Sequence, residues 1–458
     1  MADERTDIDV PISEIHFAEE PDVDAPPGQR SRSLRRRQQS IESGIVKYPL
    51  DIPLAFEEAR GSTIRDVDGN TYLDFFATIS VLNVGHANPY VLEGAQDQLG
   101  KLAHSLDFPA EPRLNLIEKV NETLPDGLRD NNRVMFAGPT GTNTIEGTIK
   151  LAMKNTGNDS LIAFRGAYHG ATFGAMSLSS SRSSNRTFGP FLPKTNFVPY
   201  PTQGDDSVTV DEAIEEARSL LEDDWRGVSD PAGIWIEPIQ APSGVSIPAD
   251  GFIPRLRELA DEHEIPLISD EIQAGFGRTG NWWACEWEGV TPDIITTAKS
   301  IGGVGLPLAA TVYHDDYSME PGDHGGTFRG NLPAMRAGVR AIEYIQHHDL
   351  LSHATELGEL MRDRFREVQN TTSNVEDVRG RGLLIGVELV DGDGHPSKAM
   401  ADSVLEYCYK NGVLISTAGQ NKNVLRIMPP LVTTTAQAEV GSDIICEAIT
   451  SAADQHSG

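Results

Sequence analysis

The sequence has few cysteines and no long apolar run. Cys285, Cys408 and Cys446 are scattered, odd in number and not spaced as metal ligands, so they predict neither a disulfide framework nor a zinc site. No stretch of 18 apolar residues occurs, and the chain opens with acidic residues instead of a basic segment followed by an apolar one. We therefore expect a cytoplasmic protein with no membrane span and no bound metal.

Basic residues are also scarce. The 458 residues include 68 Asp and Glu against 38 Lys and Arg, for a formal net charge of −30, and only ten of the basic residues are lysines. Such a charge disfavours binding to nucleic acid or to an anionic membrane. It suits a protein kept soluble in concentrated salt, where repulsion between carboxylates is screened, and we interpret it as a halophilic signature. An ordinary acidic cytosolic enzyme is the alternative interpretation.

Composition and patterning divide the chain into four parts. Residues 1–40 are predicted to form an arm, acidic at first and then basic in the run RSRSLRRR, which we expect to pair with carboxylates of this chain or a partner rather than with nucleic acid. Residues 41–95 contain a predicted hairpin around the turn Asp68-Gly69 and form the N-terminal part of a small domain. Residues 96–335 form the large domain, and residues 336–458 form the C-terminal part of the small α+β domain.

The large domain alternates short β-rich runs with helical stretches. The runs are RVMFAG, SLIAFRG, NFVPY, GIWIEP, PLISDE, DIITTA and LAATVY. This alternation predicts an α/β domain with a mostly parallel sheet. Ligands of such sheets bind beyond the carboxyl ends of the strands, so candidate functional residues should follow the runs directly.

Two of these strand ends carry groups suited to a flat phosphorylated ligand. FAGPTGTNTIE places a glycine-rich turn before a helix, where free backbone N–H groups can bind a phosphate, although a simple helix cap by Thr140 or Thr142 explains the pattern equally well. RGAYHG places Tyr168 and His169 at the sheet edge, where the tyrosine could stack on a ring. A core tyrosine beside a structural histidine is the alternative.

Two further strand ends carry an acid and a lysine. The apolar run IPLISDEIQ reaches Asp270, whose carboxylate needs a cationic partner if it is buried. PDIITTAKS ends in Lys299, and burial there would release the neutral amine that Schiff-base chemistry requires. A phosphate site, a stacking ring, a buried acid and a buried lysine together describe a site for a phosphorylated pyridine aldehyde.

From about residue 40 to about residue 435 the sequence resembles the class III aminotransferases, which have the pyridoxal-phosphate fold type I, and within them the 2,4-diaminobutyrate branch. The resemblance rests on the stretches DVDGNTYLDFFATISVLNVGH, GPTGTNTIEGTIKLA, DEIQAGFGRTG, AKSIGG and HGGTFRGNLPAMRAG. It implies an aspartate-aminotransferase-like large domain, pyridoxal 5′-phosphate as cofactor, and transfer of the ω-amino group of a diamino acid, 2,4-diaminobutyrate being favoured, to or from 2-oxoglutarate or glutamate.

The resemblance also implies roles for individual residues. Lys299 would hold the cofactor as a Schiff base and then carry the proton, and Asp270 would keep the pyridine nitrogen protonated. The remaining cofactor contacts would be the backbone of Gly141 and Thr142 on the phosphate, Tyr168 and Ile272 on the ring faces, Gln273 on the phenolic oxygen, with His169 and Glu237 beside them. Thr327 would reach the phosphate of the neighbouring subunit, so the resemblance implies a homodimer.

Substrate recognition departs from the family pattern. Arg426 matches the arginine that binds the carboxylate of the oxo acid, and Ile79 and Gln240 match substrate-site positions. The glutamate that gates this arginine in many relatives is Pro242 here, and a second substrate arginine is Ala171. Without the second arginine, a donor carboxylate would have to be held elsewhere, which argues against 4-aminobutyrate or ornithine as the donor.

Other functions remain compatible with the same lysine and aspartate. An aminomutase or amino-acid racemase of this fold would keep both residues but would need no amino acceptor. An ω-transaminase with a different donor and pyruvate as partner is a further alternative. A nicotinamide dehydrogenase is disfavoured because no GxGxxG motif follows the first strand.

Overall fold

The N-terminal segment is attached along the rest of the protein. The structure, a computed structural model, describes residues 8–180, 187–191, 194–205 and 207–456. Ile15 is buried in the main core, and the N–H of Asp22 donates to the carbonyl of Thr71. The basic run forms the helix Gln29–Ile41, where Arg30 pairs with Glu57 at 3.6 Å. Part of the basic run thus pairs with this chain's own carboxylates, as expected.

The predicted hairpin is confirmed. Strands β1 (Phe56–Arg60), β2 (Thr63–Asp66) and β3 (Thr71–Asp74) form an antiparallel sheet in which Thr63 pairs with Leu73 across the turn at Asp68-Gly69. Gly69 has a φ of 97°, a conformation that glycine adopts without the strain of a side chain. A short strand near the C-terminus of the chain later joins this sheet beside β3.

The predicted parallel sheet is also confirmed. Its strands are β4 (Asn132–Gly138), β5 (Ser160–Phe164), β6 (Lys194–Val198), β7 (Pro231–Ile236), β8 (Leu267–Asp270), β9 (Ile294–Thr297) and β10 (Ala309–His314). Among the described residues they form one seven-stranded sheet in the order β4-β10-β9-β8-β7-β5-β6. Only β10 runs antiparallel to its neighbours, so the carboxyl ends of the other strands lie at one edge.

Helices cover both faces of this sheet, which explains why its strands are almost continuous apolar runs. Every residue of β5, β7, β8 and β9 is buried. The helices of the described chain are Gln29–Ile41, Tyr48–Asp51, Ala77–Ser80, Pro89–Leu99, Glu111–Thr123, Gly141–Thr156, Phe173–Ser177, Val210–Glu222, Phe252–Glu262, Leu332–His347, Leu350–Gln369, Lys398–Lys410 and Thr435–His456, with short 3-10 turns at Ile12–Glu14, Asp224–Arg226, Ala284–Glu288 and Lys299–Gly302. None of the helices in the described ranges has the length and apolar character needed to cross a bilayer.

The C-terminal part is a smaller α+β unit, as predicted. It contains strands β11 (Val375–Arg381), β12 (Leu384–Leu389), β13 (Val413–Leu414), β14 (Ser416–Ala418) and β15 (Val424–Ile427). Strands β11, β12, β15 and β14 form an antiparallel sheet, while β13 pairs with β3 in parallel. The hydrophobic core continues from β10 to the helix Thr435–His456. The domain limits at residues 40, 95 and 335 stay predictions.

Candidate active site

Residues at the carboxyl ends of five strands meet in one cavity at the edge of the large sheet. The cavity has a volume of about 460 Å³. Its lining includes Gly141 and Thr142 after β4, Tyr168, His169 and Ala171 after β5, Glu237 after β7, Asp270, Ile272 and Gln273 from β8 onward, and Lys299 after β9. The structure therefore brings these predicted site residues together at this edge.

Asp270 and His169 form a buried pair at the base of this cavity. Asp270 Oδ2 lies 2.7 Å from His169 Nδ1, and its Oδ1 accepts hydrogen bonds from the N–H of Ile272 at 3.1 Å and from Thr296 Oγ1 at 3.3 Å. Burial acts to lower the pKa of His169, but the hydrogen bond and charge of Asp270 outweigh it and raise that pKa. In the described part of the chain, no lysine or arginine forms an ion pair with Asp270.

Lys299 sits at the same edge in a strained backbone conformation. Its φ is 53°, in the left-handed region that costs a residue with a side chain about 1–2 kcal/mol. The neighbouring Ser300 Oγ donates to the carbonyl of Ser80 at 2.5 Å and thereby fixes this turn. Lys299 Nζ donates to Gln273 Oε1 at 3.3 Å. Strain that the surroundings maintain in this way is typical of functional sites.

The charge state of Lys299 is set by its surroundings. Burial, reinforced by the positive charge of Arg426, lowers the pKa of Lys299 to about 7, against the opposing effect of Asp270. A neutral amine is therefore accessible near neutral pH, as Schiff-base chemistry requires. Glu237 behaves in the opposite sense, since burial raises its pKa to about 8 while its Oε2 accepts the N–H of Tyr168 at 2.9 Å.

The glycine-rich turn after β4 begins the helix Gly141–Thr156. The first N–H groups of a helix have no intrahelical acceptor, and the first two residues of this helix, Gly141 and Thr142, line the cavity. Thr140 also caps the helix through a mutual interaction with Asn143, so the helix-cap interpretation is confirmed, while the phosphate site stays a prediction. A Cβ added to Gly141 would lie 2.8 Å from Ile272 Cδ1, so a larger residue here would have to displace the isoleucine side chain or the helix end.

A second cavity of about 570 Å³ adjoins the first and shares Tyr168, Gln273 and Lys299 with it. Arg426 lines it, only 6% exposed, with its Nε bonded to Ser416 Oγ at 3.2 Å. Burial lowers the pKa of this guanidinium to about 10. Among the described residues, no carboxylate forms an ion pair with Arg426, and Pro242 lies in the lining where many relatives have an acid.

Ile79 enters the second cavity from an unusual turn. Residues Ala77–Ser80 all have positive φ values, between 43° and 62°. Such a left-handed turn is unfavourable for residues with a Cβ, and Ile79 is a β-branched residue, for which it is an outlier. The turn places the Ile79 side chain in the cavity and brings the carbonyl of Ser80 to Ser300.

Two predicted site residues lie outside both cavities. Gln240 is buried, but its side-chain amide donates to the carbonyl of Arg165 at 3.1 Å, so the geometry gives no support to a substrate contact. Thr327 is exposed on the surface and does not line either cavity of its own chain. That position fits the expectation that it serves a neighbouring subunit.

Sequence reasoning missed several residues that the structure brings to the site. Thr296 pairs directly opposite Asp270 in the β8–β9 register, and Ser300 follows the lysine. Because every residue of β9 is buried, no alternation in its sequence singles out Thr296. Lys47 and Lys422 also line the second cavity, but they are far apart in the chain, and no local motif indicates them.

The fold and this site define a cofactor-dependent enzyme built around a lysine and a buried aspartate. The chain matches the family model "Aminotransferase class-III" over residues 47–449. It is 36% identical over 432 residues to a diaminobutyrate–2-oxoglutarate aminotransferase of Rhizobium meliloti, with 90% of this chain and 91% of that protein covered, and 33% identical to a diaminobutyrate–2-oxoglutarate transaminase of Oceanobacillus iheyensis, with 91% and 96% covered.

Solved structures give the same result. A transaminase from the marine bacterium Virgibacillus has a TM-score of 0.85 at 26% identity, with 93% of this chain and 100% of that chain covered. The ornithine aminotransferase of Toxoplasma gondii has a TM-score of 0.82 at 27% identity, with 93% and 96% covered. The protein belongs to the class III aminotransferase family and is a pyridoxal-phosphate-dependent aminotransferase of fold type I.

The first cavity fits this cofactor in three independent respects. Asp270 is a buried acid that lacks an ion-paired lysine or arginine in the described chain, which suits a protonated pyridine nitrogen. The helix that begins at Gly141 offers free N–H groups and a positive dipole end to a phosphate. Lys299 has a lowered pKa beside both. The fit rests on the donor set and shape of the cavity.

Proposed function

We propose that this aminotransferase moves the γ-amino group of L-2,4-diaminobutyrate to 2-oxoglutarate, or in reverse from glutamate. The observation that carries the proposal is Arg426, a buried guanidinium without an ion-paired carboxylate in the described chain, beside Lys299. A buried unpaired charge is unfavourable, so the site favours a substrate that brings a carboxylate next to the reacting carbon. The names of the relatives supply diaminobutyrate as the donor.

Asp270 and His169 would prepare the cofactor ring. When bound, pyridoxal 5′-phosphate supplies an electron sink for the electrons of the substrate bond that breaks. Asp270 would keep the ring nitrogen protonated, because a buried carboxylate gains most from a cation at hydrogen-bond distance. His169 would orient Asp270 through the 2.7 Å bond, and its own raised pKa supports a net neutral pair in the dry base of the cavity.

Lys299 would act as the proton carrier of the reaction. Its pKa of about 7 allows it to accept and release a proton near neutral pH. Gln273 Oε1, 3.3 Å from Nζ, would hold the amine in the space between the two cavities. Glu237, protonated below about pH 8, would add no second negative charge beside Asp270.

The other proposed cofactor contacts follow from the cavity lining. The backbone of Gly141 and Thr142 would bind the phosphate, Tyr168 and Ile272 would cover the two ring faces, and Gln273 would reach the phenolic oxygen. Thr327 would bind the phosphate of a second subunit, since it is exposed and lines neither cavity of its own chain. We therefore also propose that the enzyme is a homodimer whose sites are completed by the partner.

At the substrate side, Arg426 would bind the α-carboxylate of the oxo acid while Ile79 shapes the wall opposite. Pro242 leaves the arginine without the gating acid of many relatives, so the arginine would be open to an oxo acid at all times. Gln240 would support this region from behind the cavity lining and would not contact the substrate, because its amide donates to the carbonyl of Arg165.

A panel of amino donors tests the proposal. The purified enzyme is mixed with diaminobutyrate, 4-aminobutyrate, ornithine or glutamate, and the absorbance change from the lysine-bound to the amine form of the cofactor is followed, before pyruvate or 2-oxoglutarate is added. We expect diaminobutyrate and glutamate to weaken the absorbance band of the lysine-bound cofactor, and we expect 2-oxoglutarate to restore that band. An isomerase would turn over one substrate without any acceptor. With a pyruvate-dependent ω-transaminase, only pyruvate would restore the band of the lysine-bound cofactor.

We further propose a cytoplasmic location and adaptation to high salt. All three cysteines are free thiols, two of them buried, which suits a reducing compartment. The net charge of −30 supports the second proposal, because salt screens repulsion among surface carboxylates. Unfolding curves in dilute buffer and in molar KCl should then differ, with the midpoint higher in KCl. Equal midpoints would remove the halophilic interpretation.

A further inference from the structure

Three of the ten lysines of this chain line one cavity. Lys299 lies on the inner side of the second cavity, while Lys47 and Lys422 belong to its exposed rim. In a protein with a net charge of −30 and so few lysines, this concentration is unusual. Neither Lys47 nor Lys422 forms an ion pair with a carboxylate among the described residues, so both ammonium groups are available to a ligand.

The two rim lysines come from two walls that distant segments of the chain form. Lys47 precedes the helix Tyr48–Asp51, and its Nζ lies 5.7 Å from the ring centroid of Tyr48, which also lines the cavity. Asp51, at the end of this helix, is exposed in the same lining and forms no ion pair in the described chain. This wall therefore offers one positive and one negative group side by side.

Lys422 is held on the other wall by a tight turn. The turn joins β14 to β15, the N–H of Lys422 donates to the carbonyl of Gly419 at 3.2 Å, and the N–H of Gly419 donates to the carbonyl of Pro242 at 3.1 Å. Lys422 has a φ of 54°, so the chain accepts a left-handed residue to form this turn. Four residues later β15 carries Arg426, so one strand connects the buried and the exposed cation.

The chemistry of the two proposed substrates makes this arrangement informative. Glutamate reacts at C2 and carries its second carboxylate three bonds away. Diaminobutyrate reacts at C4, and its only carboxylate is also three bonds away. A single cationic site at that distance from Lys299 could therefore serve both halves of the reaction. The two substrates differ in that diaminobutyrate alone carries an ammonium group next to this distal carboxylate.

We propose that Lys47 and Lys422 bind the distal carboxylate of both substrates, and that Asp51 binds the α-ammonium group of diaminobutyrate. This assignment rests on the proposed function and deepens it. The lysines would bind the carboxylate for which the resemblance implies an arginine at the position of Ala171. Ala171 itself lines the first cavity and has no charge to offer. Cations at the rim of a cavity in an acidic protein also attract dianions by their local field.

Binding of an unreactive dicarboxylate tests the lysine site. Glutarate has the two carboxylates of 2-oxoglutarate without the oxo group, and butyrate lacks the distal one. With the wild-type holoenzyme, calorimetry should give glutarate at least about tenfold tighter binding than butyrate, since one charge-assisted contact is worth about a factor of ten or more. The variants are Lys47→Gln and Lys422→Asn, the latter because asparagine tolerates positive φ.

Each substitution should weaken glutarate binding about tenfold, and the double variant should weaken it about 100-fold. The affinity for butyrate should stay unchanged, and arginine at either position should restore the affinity for glutarate. Lys101→Gln, an exposed lysine remote from the cavities, is the matched control and should bind as wild type. Unchanged glutarate affinity in the double variant, or equal affinity of the wild type for glutarate and butyrate, overturns the assignment.

Asp51→Asn tests the ammonium contact. 4-Aminobutyrate has the same distal carboxylate as diaminobutyrate but no α-ammonium, so the ratio of kcat/KM for the two donors should fall about tenfold in this variant, with KM for 2-oxoglutarate unchanged. An unchanged ratio removes Asp51 from the proposal. If diaminobutyrate is not a substrate but glutarate still depends on both lysines, the proposed donor is wrong and the lysine site stands.

Discussion

His169 Nδ1 and Asp270 Oδ2 lie 2.7 Å apart at the base of the first cavity, and both side chains are buried. This pair joins the loop after β5 to the last residue of β8, and it holds one oxygen of the carboxylate. We expect His169→Leu to leave Asp270 as an uncompensated buried charge and to destabilise the apoenzyme by about 3–5 kcal/mol. His169→Asn, whose amide can donate in place of Nδ1, should retain most of the stability.

The same variants separate stability from function. In the holoenzyme a protonated ring nitrogen would partly compensate the charge of Asp270. The free energy of unfolding lost in His169→Leu should therefore be smaller in the holoenzyme than in the apoenzyme. Urea unfolding of both forms measures the difference. An equal loss with and without the cofactor would argue against contact between Asp270 and the ring.

Gly141 provides a test of the phosphate site. A methyl group there would lie 2.8 Å from Ile272 Cδ1, so Gly141→Ala must displace the isoleucine side chain or the helix end. We expect the dissociation constant for pyridoxal 5′-phosphate to rise about tenfold or more, by analogy with one lost charge-assisted hydrogen bond. Equilibrium dialysis of the apoenzyme measures it. Gly392→Ala, at a glycine with open space around it, is the control and should bind the cofactor normally.

The lowered pKa of Lys299 predicts a pH dependence of apoenzyme stability. Between about pH 7 and the ordinary value of 10.5 the unfolded chain binds a proton at this lysine that the folded chain does not, so the stability contributed by Lys299 rises with pH in that window. Lys299→Met should therefore be more stable than the wild-type apoenzyme near pH 6, with the difference shrinking towards pH 10. A constant difference across this range would contradict the lowered pKa.

Glu237 predicts the opposite dependence. Its raised pKa means that the folded chain keeps a proton between the ordinary value of 4.5 and about 8, which the unfolded chain has lost, so this group lowers stability as pH rises through that window. Glu237→Gln keeps an acceptor for the N–H of Tyr168 and removes the titration. Denaturation curves should coincide with wild type near pH 4 and show a more stable variant near pH 8. A less stable variant at pH 8 would show that the carboxylate is charged and paired.

The sequence predicted the architecture of the large domain well, because its strands are buried on both faces and therefore appear as apolar runs. It also placed Asp270 and Lys299 at one edge, since parallel strands bring their carboxyl ends together. The pair His169–Asp270 was not predictable, because it depends on how the loop after β5 folds back. The orientation of Gln240 was not predictable either, because nothing in the sequence indicates that Pro242 lines the second cavity while the Gln240 amide donates to Arg165.

Backbone strain is a second feature that no pattern in the sequence indicates. Nothing in ATIS distinguishes a left-handed turn from an ordinary helical one, and AKSIGG does not predict a positive φ at Lys299. Both conformations depend on the Ser300–Ser80 hydrogen bond, which joins segments 220 residues apart. Such tertiary constraints override local preference, and they are found here at the lysine that we propose to carry the proton.

Isotope labelling tests directly whether the γ-amino group of diaminobutyrate is transferred to 2-oxoglutarate. Diaminobutyrate labelled with ¹⁵N at the γ position is incubated with the enzyme and unlabelled 2-oxoglutarate, and the products are analysed by mass spectrometry. We predict one ¹⁵N in the glutamate formed. Lys299→Ala should reduce the rate of its formation by at least about 100-fold through loss of acid–base catalysis, and Asp270→Asn should reduce it by a similar factor because the ring nitrogen would lose its carboxylate partner. Label that stays on the donor's carbon skeleton, or glutamate without label, would contradict transfer of the γ-amino group by this site.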